Sequence, residues 1–235
     1  MYKDAKRIIN ANGFNFKRKD PYLMLANHTF LFDVVHVPLK LKKNPFIVAS
    51  EELFVRQPTK FLFKWVAHII PKSKGASDLR TAKGIIGAIK RGYPVLIFPE
   101  GNTTFHGDTK YIEHSTFKLA KKLKVDIITC NVKGGYLSKP RWATGKRKNR
   151  KVELNYEIAI HKEELAMLSI DEISDIINEK LYNNDYEYQK EKMIKRPGKK
   201  LAEGIENVLY ICPHCESVNT LESKGNVISC NHCNT

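Results

Sequence analysis

The stretch PYLMLANHTFLFD (residues 21–33) places a His and an Asp directly after a run of apolar residues. Residues 21–26 are almost wholly apolar, which is typical of a buried β-strand. His28 follows the run, and Asp33 stands five residues after it. In a parallel sheet such a position lies at the carboxyl edge, where ligand crevices form. The stretch therefore predicts either a catalytic pair or the ordinary start of a helix.

Other segments indicate the rest of the fold. Short apolar or alternating runs that favour strands lie at 44–50, 93–98, 125–132 and 152–160. Between them, segments with helical character lie at 59–70, 77–91, 113–124 and 171–182. Strands that alternate with helices predict an α/β fold with a mostly parallel sheet flanked by helices.

The composition is that of a folded protein with a strong positive charge. The 235 residues are 42% hydrophobic and 28% charged, and 40 Lys and Arg against 25 Asp and Glu give a net charge of +15. Such a field attracts nucleic acid or an anionic membrane surface. Because the sequence has neither a run of about 20 apolar residues nor a signal peptide, we expect a cytoplasmic protein, peripheral on the inner face of the cell membrane.

Much of this charge falls in one short stretch. Residues 139–151 (KPRWATGKRKNRK) contain seven basic residues, no acidic residue and one Trp, Trp142. The stretch is suited to an anionic headgroup layer with the Trp at the interface, and equally to the phosphates of RNA or DNA. A solvated hairpin between strands is the third interpretation.

The C-terminal tail carries a metal-binding pattern. Cys212, Cys215, Cys230 and Cys233 are spaced C-x2-C-x14-C-x2-C, and two such knuckles supply the four thiolates that structural zinc prefers. Iron suits the same four thiolates, and Cys-Pro-His-Cys alone resembles a thiol-redox site. Since about 28 residues bury too little surface to fold alone, metal binding would stabilise the tail.

These features divide the chain into three parts. We expect a catalytic domain at 1–185, a helical, charged linker at 186–207 and a zinc-ribbon-like module at 208–235. A nucleic-acid-binding ribbon is the competing class of protein. That class is less favoured, because the tail has no aromatic residue after Tyr210 and Lys224 as its one Lys or Arg.

A second loop strengthens the interpretation of His28 and Asp33 as a catalytic pair. Residues 93–104 (YPVLIFPEGNTT) form another buried strand that opens into a polar loop. Pro99 and Gly101 favour a turn, which directs Glu100 toward the edge of the sheet. An ordinary strand-to-helix loop is the alternative interpretation.

Together, N-H-x-x-x-x-D (Asn27, His28, Asp33) and F-P-E-G (98–101) resemble the glycerolipid acyltransferase superfamily over residues 20 to 160. The resemblance implies that His28 is a general base and that Asp33 orients it. It also implies that the second loop helps to bind the acceptor's head group. No cofactor is expected in the catalytic site, and zinc is expected only in the ribbon.

The resemblance implies an enzyme that moves a fatty acyl group from acyl-CoA or acyl carrier protein to the hydroxyl of a lysophospholipid. The expected substrate-binding residues are Asn27, Lys72, Lys74, Glu100, Gly101, Asn102 and Thr103. The family's second loop usually continues Glu-Gly-Thr-Arg, so an Arg is missing here, and the Lys pair in IIPKSK stands where the family has another Arg. The identity of the acceptor therefore stays open, and a hydrolase that uses the same pair on water is an alternative.

Overall fold

A computed structural model describes residues 7–51, 68–72 and 79–235. Its strands are β1 (Arg7–Asn10), β2 (Leu23–Ala26), β3 (Phe46–Ser50), β4 (Ile69–Lys72), β5 (Val95–Ile97), β6 (Ile127–Lys133), β7 (Lys146–Arg147), β8 (Val152–Ile160), β9 (Gly198–Lys199), β10 (Leu221–Lys224) and β11 (Val227–Cys230). Its α-helices are α1 (Asp33–His36), α2 (Leu79–Lys90), α3 (His114–Leu123), α4 (Gly135–Ser138), α5 (Lys162–Leu165), α6 (Ile170–Leu181) and α7 (Asp185–Lys192).

Seven of the described strands form one sheet in the order β1-β8-β6-β2-β5-β3-β4. Strands β6, β2, β5, β3 and β4 run parallel, and β8 pairs antiparallel with β6. β1 then joins β8 in parallel at the edge. The predicted mostly parallel sheet is therefore confirmed, with one antiparallel pair that the sequence did not predict.

Strand β2 lies in the middle of the sheet and is completely buried. Its alternate residues enter two separate cores, because successive side chains of a strand point to opposite faces. Leu23 and Leu25 pack with apolar residues of α2, α3 and α6. Met24 and Ala26 pack on the other face with Phe14, Tyr22, Phe30, Val34 and Tyr156. Burial on both faces explains why residues 21–26 are a continuous apolar run.

Asn27 continues the sheet's hydrogen bonding after β2 ends. Its side-chain oxygen accepts a 2.6 Å bond from the Val132 N–H, and its amide nitrogen donates a 2.9 Å bond to the Val132 carbonyl. The residue is 2% exposed. The side chain thus satisfies two buried backbone groups of β6, and this leaves the chain free to turn away from the sheet at His28.

The helix predicted at 59–70 differs from the structure at its last residues, which are the ones that the structure describes. The helical pattern at 59–70 is wrong at its end, since Ile69 and Ile70 belong to β4 and pair with Ile47 and Val48 of β3. These β-branched residues fit a parallel sheet better than a helix end. Residues 59–67, including the aromatic residues that the pattern placed on one face, lie outside the described residues.

The predicted helices at 77–91, 113–124 and 171–182 correspond to α2, α3 and α6. Helix α6 begins with a capping box, because the Ser169 side chain accepts from the Glu172 N–H and the Glu172 carboxylate accepts from the Ser169 N–H. The apolar residues Ile173, Ile177 and Leu181 then share its buried face. Three turns of helical spacing were sufficient to predict this element.

Residues 182–235 follow α6. Helix α7 starts at an Asn184 cap and occupies the first part of the predicted linker. Strand β9 then pairs antiparallel with β7 of the basic stretch. Strands β10 and β11 form a hairpin that follows the first Cys pair and ends at Cys230 of the second.

Candidate active site

The His28 ring is oriented by a buried carboxylate at the carboxyl edge of the sheet. His28 Nδ1 lies 3.0 Å from Asp33 Oδ2, and the Asp33 side chain is completely buried. The same oxygen accepts hydrogen bonds from the backbone N–H groups of Thr29 (2.6 Å) and Phe30 (2.9 Å). Because Asp33 only accepts, Nδ1 carries the proton and Nε2 is the ring nitrogen that can take one up.

The second loop holds the backbone of His28 from both sides. The His28 N–H donates to Glu100 Oε1 at 2.7 Å, and the His28 carbonyl accepts from the Thr104 N–H at 2.8 Å. The Phe98 ring lies 4.5 Å from the imidazole, centre to centre. The structure thus brings together the two loops that the sequence singled out.

Glu100 connects these loops with its two oxygens. Oε1 accepts from His28, and Oε2 accepts from the Lys110 N–H at 2.9 Å. Burial raises the pKa of Glu100 to about 7, although the two N–H bonds act in the opposite direction. Glu100 therefore positions the backbone of the His28 loop.

The other expected substrate-binding residues take different positions. Asn27 is buried in the sheet, where it bonds Val132. Gly101 has a φ of +73°, which favours glycine, and it closes the turn by donating its N–H to the Phe98 carbonyl. Asn102 is exposed beside it, and Thr103 is half-buried.

Lys72, one of the two expected lysines, does not join this group. Lys72 is exposed at the end of β4, three strands from β2 in the sheet order. Three strand spacings correspond to about 14 Å. Lys74 lies outside the described residues.

Several site residues were missed by the sequence reasoning. Thr29 donates hydrogen bonds to the Asp33 carboxylate from both its N–H and its hydroxyl. Gly135 packs on Thr29 so closely that a Cβ would lie 2.0 Å from the Thr29 hydroxyl oxygen. Lys110 and Arg141 each direct a side-chain nitrogen to the Thr103 carbonyl, at 3.3 and 3.4 Å. Only the basic composition of the 139–151 stretch hinted at Arg141.

The four tail cysteines lie close together in a geometry that fits a metal ion. Their sulfur atoms all lie within 4.8 Å of one another, with Cys212 to Cys233 at 3.9 Å and Cys215 to Cys230 at 3.7 Å. Tetrahedral coordination with metal–sulfur bonds of ~2.3 Å places sulfur atoms ~3.8 Å apart. The cluster is therefore able to bind a metal ion.

The two knuckles share the same backbone geometry. Glu216 donates its N–H to the Cys212 carbonyl, and Asn234 donates to the Cys230 carbonyl, both at 2.9 Å. Both donors have positive φ, at +58° and +55°. Hydrogen bonds from Ser217 lower the pKa of Cys215 to about 5, so the thiolate forms readily.

The ribbon is bonded to the basic stretch through residues 201–206. The Gly225 N–H in the turn between β10 and β11 donates to Glu203 Oε1, and the Thr144 hydroxyl donates to Glu203 Oε2 at 3.1 Å. The Thr144 N–H also donates to the Glu203 carbonyl. Glu203 thus connects the ribbon hairpin to the 139–151 stretch.

Trp142 is turned inward within that stretch. Its indole N–H donates to the Tyr136 hydroxyl at 3.0 Å, and the Arg147 guanidinium lies over its ring at 5.4 Å. Arg147 in turn donates to the Leu137 and Leu201 carbonyls. These contacts make Trp142 a packing residue of the folded domain.

A protein-family model described as Acyltransferase matches residues 8–133, more than half of the chain. The chain belongs to the acyltransferase family. The matched region contains His28, Asp33 and the whole of the second loop. The resemblance that these two motifs suggested is therefore confirmed at the level of the family.

A solved structure gives the same answer for the fold of this acyltransferase-family chain. The crystal structure of the 1-acyl-sn-glycerophosphate (LPA) acyltransferase PlsC from Thermotoga maritima is similar, with a TM-score of 0.60 and 17% sequence identity. The similarity covers 81% of this chain and 75% of that chain. A search of curated proteins found no match. In the described residues, no helix combines the length and hydropathy that a bilayer crossing requires.

The raised pKa of Glu100 predicts a pH dependence of stability. An acid with a pKa of about 7 when folded and 4.5 otherwise binds its proton more tightly in the folded state. The stabilisation that the protonated Glu100 side chain gives the folded state is fully present below about pH 4.5 and is lost as pH rises through about 7. We expect the free energy of unfolding of the wild type, relative to Glu100→Gln, to fall by roughly 2–3 kcal/mol over this window.

Urea unfolding at pH 4.5, 6, 7 and 8 measures this difference. Glu163→Gln, at an exposed glutamate in α5, is the control and should leave the pH profile parallel to that of the wild type. Parallel profiles for Glu100→Gln and the wild type would contradict the raised pKa.

Proposed function

We propose that this acyltransferase-family chain transfers a fatty acyl group from a thioester donor to the hydroxyl of a lysophospholipid. The observation that carries the proposal is the 3.0 Å contact between His28 Nδ1 and the buried Asp33, which reserves Nε2 for proton transfer. The acceptor class is supported by the fold similarity to PlsC, a 1-acyl-sn-glycerophosphate acyltransferase.

His28 acts as the general base in this proposal. Nε2 takes the proton of the acceptor hydroxyl while the hydroxyl oxygen attacks the thioester carbonyl. The tetrahedral intermediate then collapses, the carbon–sulfur bond breaks, and the departing thiolate takes up the proton from the His28 imidazolium. Asp33 stabilises the imidazolium that forms between these steps. The acyl group passes directly to the acceptor, without an acyl-enzyme.

The second loop contributes by positioning. Glu100 accepts from the N–H of His28 and Thr104 donates to its carbonyl, so the backbone that carries the ring cannot shift without breaking two hydrogen bonds. A displacement of about 1 Å in a reacting group can cost about 10²-fold in rate. Gly101, Asn102 and Thr103 lie at the open side of this loop, where the acceptor's head group would lie.

The donor in this proposal is acyl-CoA or acyl carrier protein, and the enzyme works at an anionic membrane surface on the cytoplasmic side. The net charge of +15 supports both an acidic carrier protein and an anionic bilayer. Since Trp142 is half-buried against Tyr136 and Arg147, the exposed residues Lys146 and Lys148 are the better candidates for contact with lipid head groups.

Replacement of His28 tests the reaction. We expect His28→Ala to lower kcat by at least ~10²-fold, because general base catalysis typically contributes about 10²–10⁴-fold. Asp33→Asn should lower kcat as well, since an amide can donate to Nδ1 and stabilise the wrong tautomer. The measurement is mass spectrometry of products from a panel of lysolipids with acyl-CoA and acyl carrier protein as donors.

The matched control is His106→Ala, an exposed His in the same loop region. Its kcat should equal that of the wild type. Equal product from His28→Ala and the wild type would rule out the mechanism. Free fatty acid in place of acylated lysolipid would show a hydrolase and overturn the transfer reaction.

The metal in the ribbon is zinc in our proposal, held by Cys212, Cys215, Cys230 and Cys233. Four thiolates in tetrahedral geometry favour zinc, and its role is structural because all four coordination positions are filled by protein. The ion would stabilise the hairpin of β10 and β11, whose exposed strands bury little apolar surface.

Elemental analysis of the purified protein tests the metal. We expect one zinc ion per chain in the wild type and less than about a tenth of that in the variant with Cys230→Ser and Cys233→Ser. Cys130→Ala, at a buried cysteine in β6, is the control and should retain the zinc. Iron in place of zinc, or metal that survives the double substitution, would contradict this assignment.

A further inference from the structure

Two cationic side chains from separate segments meet at one carbonyl of the second loop. Lys110 Nζ lies 3.3 Å and Arg141 Nη1 lies 3.4 Å from the Thr103 carbonyl oxygen. Lys110 precedes α3, whereas Arg141 belongs to the 139–151 stretch. The two nitrogens are therefore within roughly 7 Å of each other, a span that one phosphate group can bridge with hydrogen bonds of ~2.8 Å.

A neutral carbonyl does not balance two positive charges. Across residues 7–51, 68–72 and 79–235, no carboxylate forms an ion pair with Lys110 or Arg141. The adjacent carboxyl group, that of Glu100, has both oxygens occupied by the backbone N–H groups of His28 and Lys110. Like charges held close together repel, so an anion that binds between them is favoured.

One peptide group of the second loop separates these cations from the His28 backbone. Thr103 directly precedes Thr104, whose N–H bonds the His28 carbonyl. Because the C=O and the N–H of one trans peptide group point in opposite directions, the cations lie on the side of this peptide away from the His28 carbonyl, one peptide group from the His28 backbone. In a 1-acylglycerol 3-phosphate, four bonds separate the free hydroxyl oxygen from the phosphorus, so the two groups need neighbouring but separate subsites.

The loop that carries Arg141 is anchored before any ligand binds. Thr144, three residues later, makes two hydrogen bonds to Glu203, which also accepts from Gly225 in the ribbon turn. The Arg141 guanidinium rests over the Phe105 ring at 5.7 Å. A preorganised cation loses less conformational entropy when it binds.

We propose that Lys110 and Arg141 form a subsite for a phosphate group of the substrate, beside the His28 loop. The proposal rests on the acyl transfer proposed above and assigns the residues that would hold a phosphate of one of its substrates. The phosphate belongs either to the acceptor's head group or to the acyl donor, and the recognition chemistry is the same for both.

Direct binding tests the subsite without catalysis. Isothermal titration calorimetry compares short-chain 1-hexanoylglycerol 3-phosphate with 1-hexanoylglycerol on the wild type, Lys110→Gln, Arg141→Gln and the double variant. We expect Kd for the phosphorylated ligand to rise about tenfold in each single variant and more in the double variant, because each loses a charge-assisted hydrogen bond. Lys118→Gln, at an exposed position of α3, removes one charge elsewhere and should leave Kd unchanged.

Donor analogues form a second arm of the experiment. If Kd rises for coenzyme A but not for the phosphorylated lysolipid, the subsite holds the donor's phosphate, which supports the same assignment. The subsite would be ruled out if wild type and double variant had equal Kd values for the phosphorylated lysolipid and also for coenzyme A. It would also be ruled out if Lys118→Gln raised Kd as much as the Lys110 and Arg141 variants do. A wild type that binds these phosphates but transfers no acyl group would contradict the proposed function and leave the subsite standing.

Discussion

The buried carboxylate of Asp33 is the group on which the arrangement of the site depends. One oxygen accepts from two successive backbone N–H groups, of Thr29 and Phe30, and from the His28 ring. A completely buried carboxylate is costly unless it is hydrogen-bonded, so these donors must stay in place. The turn after β2 and the orientation of the imidazole are therefore fixed by one side chain.

The sheet supports this turn through polar side chains at its edge. Asn27 satisfies the backbone of Val132, and Glu100 bonds the backbone of both His28 and Lys110. Each of these residues lies where a parallel strand ends and backbone groups lose their ladder partners. Residues that a motif suggests for substrate contact can thus serve the scaffold, and here they keep His28 in position.

Much of the fold was predictable because the apolar runs are long and their periods are clear. Strands β2, β6 and β8 and helices α2, α3 and α6 all follow from residue spacing. The antiparallel direction of β8 was not predictable, since an alternating apolar pattern does not indicate in which direction a strand runs. The strand at Ile69–Lys72 was missed because its apolar residues continued a helical period.

The two motifs predicted that the two loops lie near each other. They did not predict which atoms of the loops are in contact. Spacing placed His28, Asp33 and Glu100 at strand ends, yet it did not show that Glu100 bonds the backbone. The convergence of Lys110 and Arg141 depends on tertiary structure, because 31 positions separate them in the sequence. Long-range contacts through Glu203 also connect the ribbon hairpin to the 139–151 stretch.

The ring nitrogens of His28 give the most direct test of the central claim that Asp33 fixes the imidazole and leaves Nε2 as the base. The measurement is nuclear magnetic resonance of ¹⁵N-labelled histidine, with His28→Ala used to assign the signals. The account predicts that the neutral form of the ring carries its proton on Nδ1, and that Asp33→Asn changes the tautomer population. A His28 ring protonated on Nε2 in the wild type, or unchanged by Asp33→Asn, would contradict it.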